Sequence, residues 1–96
     1  MSNASPRPLS TALEDLAARL APMTTLARVQ AVWDRAAGAA IADAARPSAE
    51  RDGVLTLTCT ASVWAQELEL MADELLARVN AALEDDALHA LRCRTV

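Results

Sequence analysis

Arg51-Asp52-Gly53-Val54-Leu55-Thr56-Leu57-Thr58-Cys59-Thr60 is the stretch whose reading decides the fold. An Asp-Gly pair between strand-like residues is a strong hairpin signal, because both central positions of a type I′ turn need positive φ. Downstream of the turn, Leu55, Leu57 and Cys59 alternate with Thr56, Thr58 and Thr60. One face of that strand is therefore apolar and the other carries hydroxyls. Upstream, Ala45–Arg51 supplies the partner strand. Pro47 within it predicts an edge strand or a late start, since proline cannot donate to a ladder.

The pattern changes period on both sides of the hairpin. Before it, Leu26, Val29, Trp33, Ala36, Ala37, Ala40, Ile41 and Ala44 recur at helical spacing. Thr24 or Thr25 caps this helix, which is expected to run to about Ala44. Gly38 lies inside it, and a mid-helix glycine predicts close approach by a neighbouring element. Further upstream, Leu9, Leu13, Leu16, Ala17 and Leu20 predict another helix, with Thr11 and Glu14 as a capping box and Pro22 as its stop. Residues 1–8 read as a disordered lead-in, with Ser2-Asn3-Ala4 resembling a tag remnant. Residues 9–96 form the single expected domain.

After the hairpin, Ser62 is placed to cap a helix running to about Leu83. Trp64, Leu68, Met71, Leu75, Val79 and Leu83 make its stripe, widened by Leu70 and Leu76. Glu84-Asp85-Asp86 oppose a helix dipole and are assigned to a loop. Leu91–Val96 closes the chain as a strand, with Leu91, Cys93 and Thr95 on one face and Arg92, Arg94 and Val96 on the other. The order is α-α-β-β-α-β, an α+β domain with helices packed on one face of a three-stranded sheet. The order of the strands stays open.

Composition narrows the function. The 96 residues are 53% hydrophobic, with no Phe and no Tyr, so Trp33 and Trp64 are the large anchors. No run is long and apolar enough to span a membrane, and a cytoplasmic location is the default. Two cysteines and one histidine make neither a disulfide framework nor a zinc ribbon. The net charge of −4 argues against binding driven by overall charge, while leaving room for a local basic face. His89 stands without a nucleophile motif, and no phosphate loop, dinucleotide fingerprint or metal spacing is present. A binding module is expected rather than an enzyme, with no cofactor and no small-molecule substrate.

Trp33, Gly38, Pro47, Asp52-Gly53-Val54-Leu55-Thr56-Leu57, Ser62-Val63-Trp64-Ala65-Gln66-Glu67-Leu68, Leu75-Leu76, Asn80 and Leu91-Arg92 together resemble the bacterial DciA family over residues 25–96. The Ser-x-Trp segment after the hairpin is the most specific part. The resemblance implies a K-homology-like fold, action with the replicative DnaB-type helicase during loading, and contact with single-stranded or forked DNA near the nucleoid. It also implies a basic tail, which the residues up to Val96 do not include. The Gly-x-x-Gly loop of true K-homology domains is absent as well.

Candidate contact residues follow. Trp64 reads either as a helicase or DNA contact or as a core anchor, and its place in the stripe favours the core. Trp33 shares its face with Val29, Ala37 and Ile41 and reads as core. Thr56, Thr58 and Thr60 are expected to share the outer sheet face with Arg92 and Arg94, and with Arg46 or Arg51 from the hairpin. Guanidiniums there could hold phosphates, while threonines on an open strand are also ordinary solvent-facing residues. Guanidiniums can also stack on bases, but without Phe or Tyr the face cannot stack them as an RNA-recognition motif does. The acids from Glu67 to Asp86 read as a solvated face or as a surface for a basic partner. Cys59 and Cys93 are expected to be buried apolar thiols. Helicase binding is thus one reading, and an autonomous single-stranded nucleic-acid-binding module of K-homology-like fold is the other.

Overall fold

The computed structural model describes residues 23–96, so the predicted lead-in, the helix over Leu9–Leu20 and its capping box lie outside the described residues. The turn forms as expected, with Asp52 at φ 53° and Gly53 at φ 83°. The Glu50 carboxylate accepts the Gly53 N–H at 2.7 Å and fastens the tip. The hairpin joins β1 (Ala45–Arg51) to β2 (Val54–Cys59).

The third strand, β3 (Ala90–Thr95), settles the strand order as β1-β2-β3. β1 and β2 run antiparallel, and β2 and β3 run parallel. A parallel neighbour needs a long crossover connection. Two helices supply it, α3 (Ser62–Leu70) and α4 (Ala72–Leu83). Two others precede the sheet, α1 (Thr25–Ala37) and α2 (Ala39–Ala44).

Among the described residues, all four helices lie over the face that carries Leu55, Leu57 and Cys59, which are fully buried. Val29 and Trp33 from α1, Leu68 from α3, and Leu75, Leu76 and Val79 from α4 close the core, joined by Leu88. Thr24 caps α1, its hydroxyl accepting the Ala27 N–H at 3.1 Å.

Several expectations about the helices are corrected. The helix over residues 25–44 is broken at Gly38, whose φ of 89° and ψ of 160° belong to a region open almost only to glycine. A Cβ there would meet nothing within 4 Å, so Gly38 serves a bend rather than a close approach. The helix over residues 62–83 is broken at Met71, with φ −106° and ψ 25°. α3 lies against β3 whereas α4 lies along α1, and one straight rod cannot do both. Leu70, expected to widen the stripe, is 84% exposed at this break. Finally, Ala61 holds the N-cap position of α3 with no side-chain hydrogen bond, and Ser62 is already helical.

Helix side chains occupy part of each sheet edge. Thr60 N–H donates to the Ala44 carbonyl, so by antiparallel alternation Ala45 and Pro47 direct their carbonyls away from β2. The Ala45 carbonyl receives Trp33 Nε1–H at 2.9 Å and the Pro47 carbonyl receives Gln30 Nε2–H at 3.2 Å. Pro47 therefore sits on an edge strand at a position where a ladder N–H is not needed. On the other edge, the Cys93 N–H donates to the Glu69 carboxylate at 3.3 Å. Edges occupied this way offer little to a stray strand.

Candidate functional site

The strand register assembles the outer face. Arg46 pairs with Thr58, and Thr58 with Arg94, giving one row across the sheet. Ala49 pairs with Thr56, and Thr56 with Arg92, giving the next. Arg51 lies beyond, opposite Val54. Because Leu55 and Leu57 point into the core, Thr56 and Thr58 must point out, and their register partners follow them. Arg46, Arg51, Arg92 and Arg94 are all exposed. The structure thus brings together six of the residues expected to bind. Thr60 is exposed just past the end of β2.

Trp64 is not among them. It sits in the first turn of α3, half-buried and packed against the core, on the helix side of the sheet.

One contributor was not legible in the sequence. The ladder shifts register between Pro47 and Ala49, which makes Ser48 an extra residue on β1. Such a bulge bends a strand and re-aims a side chain. Ser48 Oγ donates to the Thr56 carbonyl at 3.3 Å, and Thr58 Oγ1 donates to Ser48 Oγ at 2.9 Å. A hollow of about 300 Å³ lies over this pair, lined also by Ala49, Thr56, Arg92 and Arg94. A second hollow of about 340 Å³, reaching Arg51 and Asp52, shares Ala49, Thr56 and Arg92 with the first. Together they form a shallow trough along the sheet.

The trough is electrostatically one-sided. Among the described residues Arg51, Arg92 and Arg94 make no ion pair, and Arg46 has only a loose one to Asp34 at 3.8 Å. Asp52 lines one end of the trough, and the acids named next lie away from it. Asp85 pairs with Arg28 at 3.1 Å, Glu74 with Arg78 at 2.7 Å, and Glu69 holds the β3 edge. A hollow of about 590 Å³ beside α4 is lined by Asp73, Glu84, Asp85 and Asp86. Net acidity and a basic face are therefore separated in space.

The remaining reactive groups are structural. His89 Nε2–H donates to the Asp52 carbonyl at 2.8 Å, which fixes its tautomer and clamps the loop before β3 onto the hairpin. A Cβ on Gly53 would collide with that imidazole. Cys59 is buried, and Cys93, expected to be buried, is only partly so. Burial, together with the nearby Cys59 and Glu69, pushes the Cys93 thiol up to about 12. Burial raises Cys59 as well. Thiols held neutral in this way are poor nucleophiles. Among the described residues no group of His, Cys, Asp and Glu could hold a metal ion, and no helix is long and apolar enough to cross a membrane.

Comparison with known proteins adds a family. The profile described as Dna[CI] antecedent, DciA matches residues 8–93. A UPF0232 protein of Mycobacterium marinum is 36% identical over 89 residues, covering 91% of this chain and 48% of the relative. One from Mycobacterium tuberculosis strain H37Rv is 35% identical over 89 residues, with the same coverage of 91% and 48%. One from Mycolicibacterium smegmatis is 33% identical over 93 residues, covering 91% of this chain and 46% of the relative. The chain thus spans about half the length of these relatives. A match over nearly all of the chain, on a fold carrying the hairpin and the Trp64 helix start, places it: this protein belongs to the DciA family.

Proposed function

We propose that this chain is a DNA-replication accessory module that binds a DnaB-type replicative helicase and assists its loading, touching DNA weakly through the outer sheet face. Family membership supports the helicase half of this reading. The observation that carries the DNA half is the clustering of Arg46, Arg51, Arg92 and Arg94 on one sheet face with no carboxylate among the outward strand residues. Guanidiniums on a firm sheet suit phosphates, and an acidic total charge keeps the contact weak. The role is binding, without catalysis, and fits a cytoplasmic protein acting at the nucleoid.

Trp64 is the residue we assign to the helicase side. It is half-buried, and its neighbour in the chain, Val63, is 61% exposed. Aromatic residues at such edges are frequent anchors of protein interfaces. A pull-down with purified replicative helicase tests the reading. Retention by the intact chain and loss with Trp64→Ala, at an unchanged circular dichroism spectrum, are expected. Absence of helicase retention combined with tight, salt-sensitive binding of single-stranded DNA would instead favour an autonomous nucleic-acid-binding module.

A further inference from the structure

We propose that the trough on the outer sheet face prefers a ribose-bearing strand to a deoxyribose one, with Thr58 Oγ1 accepting a hydrogen bond from a 2′-hydroxyl. This rests on the reading that the outer face holds nucleic acid.

The hydroxyl protons of Ser48 and Thr58 have fixed destinations. The Thr56 carbonyl can only accept, so the Ser48 hydroxyl proton is spent on it. Ser48 Oγ then has no proton left for Thr58, so the Thr58 hydroxyl proton is spent on Ser48. Both donors are consumed inside the bulge. What the pair presents to the hollow above it is lone pairs alone. Two guanidinium-bearing residues flank that acceptor, Arg92 and Arg94, in register with Thr56 and Thr58. They are two residues apart on one strand, about 6.6 Å at the Cα atoms. The face therefore offers donors for anionic groups, with the acceptor at Thr58 in one row between Arg46 and Arg94 and Arg92 beside it in the next row.

A nucleic-acid backbone answers that pattern in only one of its two forms. Phosphates satisfy the guanidiniums in either form. A deoxyribose has no donor to place over Thr58, whereas the 2′-hydroxyl can both donate and accept. Base stacking does not create the difference, because the same bases stack alike on either sugar. The hollow of about 300 Å³ has room for one sugar-phosphate unit.

Fluorescence anisotropy at low salt with labelled oligouridylate, its deoxyuridine counterpart and its 2′-O-methyl counterpart tests this. All three carry the same base, and the 2′-O-methyl strand keeps the ribose oxygen while losing its proton. The ribose strand should bind roughly 3- to 10-fold tighter than either of the others, the range of one modest hydrogen bond. Thr58→Val should bring the three affinities together, the ribose strand losing its advantage over the other two. Equal affinities for the intact protein, or a 2′-O-methyl strand that binds like ribose, would overturn the preference while leaving the outer-face reading intact. Failure of all three strands to bind would overturn both.

Discussion

Trp33 Nε1–H donates to the backbone carbonyl of Ala45 at 2.9 Å, so the largest core side chain also holds the first residue of the edge strand. The ring is 1% exposed. One residue thus joins α1, the core and β1, and with Gln30 it closes the edge that Pro47 leaves short of donors.

Removing the two functions of Trp33 separately should give two different costs. Trp33→Phe keeps most of the apolar ring and leaves the Ala45 carbonyl without its partner, for a loss of about 1–3 kcal/mol. Trp33→Ala adds a cavity and should lose about 3–5 kcal/mol. Urea denaturation of both variants checks the order. A Trp33→Phe loss near zero would mean that the carbonyl finds another donor, and equal losses would mean that the ring volume adds nothing beyond the bond.

Gly38 allows a test in which the sign decides. In a continuous helix, Gly38→Ala would stabilise by about 1 kcal/mol. At φ 89° and ψ 160° the same change imposes backbone strain of about 1–3 kcal/mol, with no neighbouring atom to blame. The variant should melt at a lower temperature than the parent. A higher melting temperature would show that α1 and α2 fuse.

These two positions also mark what was legible in the sequence. The hairpin and the inward leucines could be read because Asp52-Gly53 pins the turn and a period of two leaves one choice of face. Arg92 and Arg94 followed from the same alternation. The break at Met71 had no local sign, being neither Gly nor Pro, and arises because β3 and α1 ask for different helix directions. Gly38 was visible, but a glycine inside an apolar stripe does not say whether it serves space or φ. The Ser48 bulge was hidden for a similar reason, since counting residues along one strand cannot reveal an extra one without its partner. Its consequence is chemical, because Ser48 sets which way the Thr58 proton points.

Alkaline pH should weaken the fold through the thiols. The chain has no Lys and no Tyr, so Cys59 and Cys93 are the only side chains expected to titrate between neutrality and the arginine range. The folded Cys93 pKa is raised from 9.0 to about 12, so the folded state holds this proton more tightly than the unfolded chain does. Its contribution is fully present below the unfolded value and is lost as pH climbs through the window up to the folded one. Urea midpoints should stay level from neutral pH to near 9.0 and then fall, and the fall should be shallower in Cys93→Ala. A level profile up to pH 11 would mean that Cys93 is no more protected in the folded chain than in the unfolded one.

The outer face makes its own prediction, independent of which sugar it prefers. Arg92 and Arg94 are exposed and make no ion pair among the described residues, so replacing both with Ala removes no packing and should leave the melting temperature nearly unchanged. If each guanidinium neutralises one phosphate of a single strand, each displaces its share of condensed counterions. The slope of log affinity against log salt should then flatten by roughly 0.7 per arginine, or about 1.4 for the pair. Arg78, tied to Glu74 at 2.7 Å on the helix side, is the matched control, and its replacement should leave the slope alone. Binding titrations at several salt concentrations for the parent, the double variant and Arg78→Ala decide the matter. A double variant with an unchanged slope would move the phosphate contacts off the sheet. An equal effect from Arg78 would reduce them to diffuse attraction, with no trough involved.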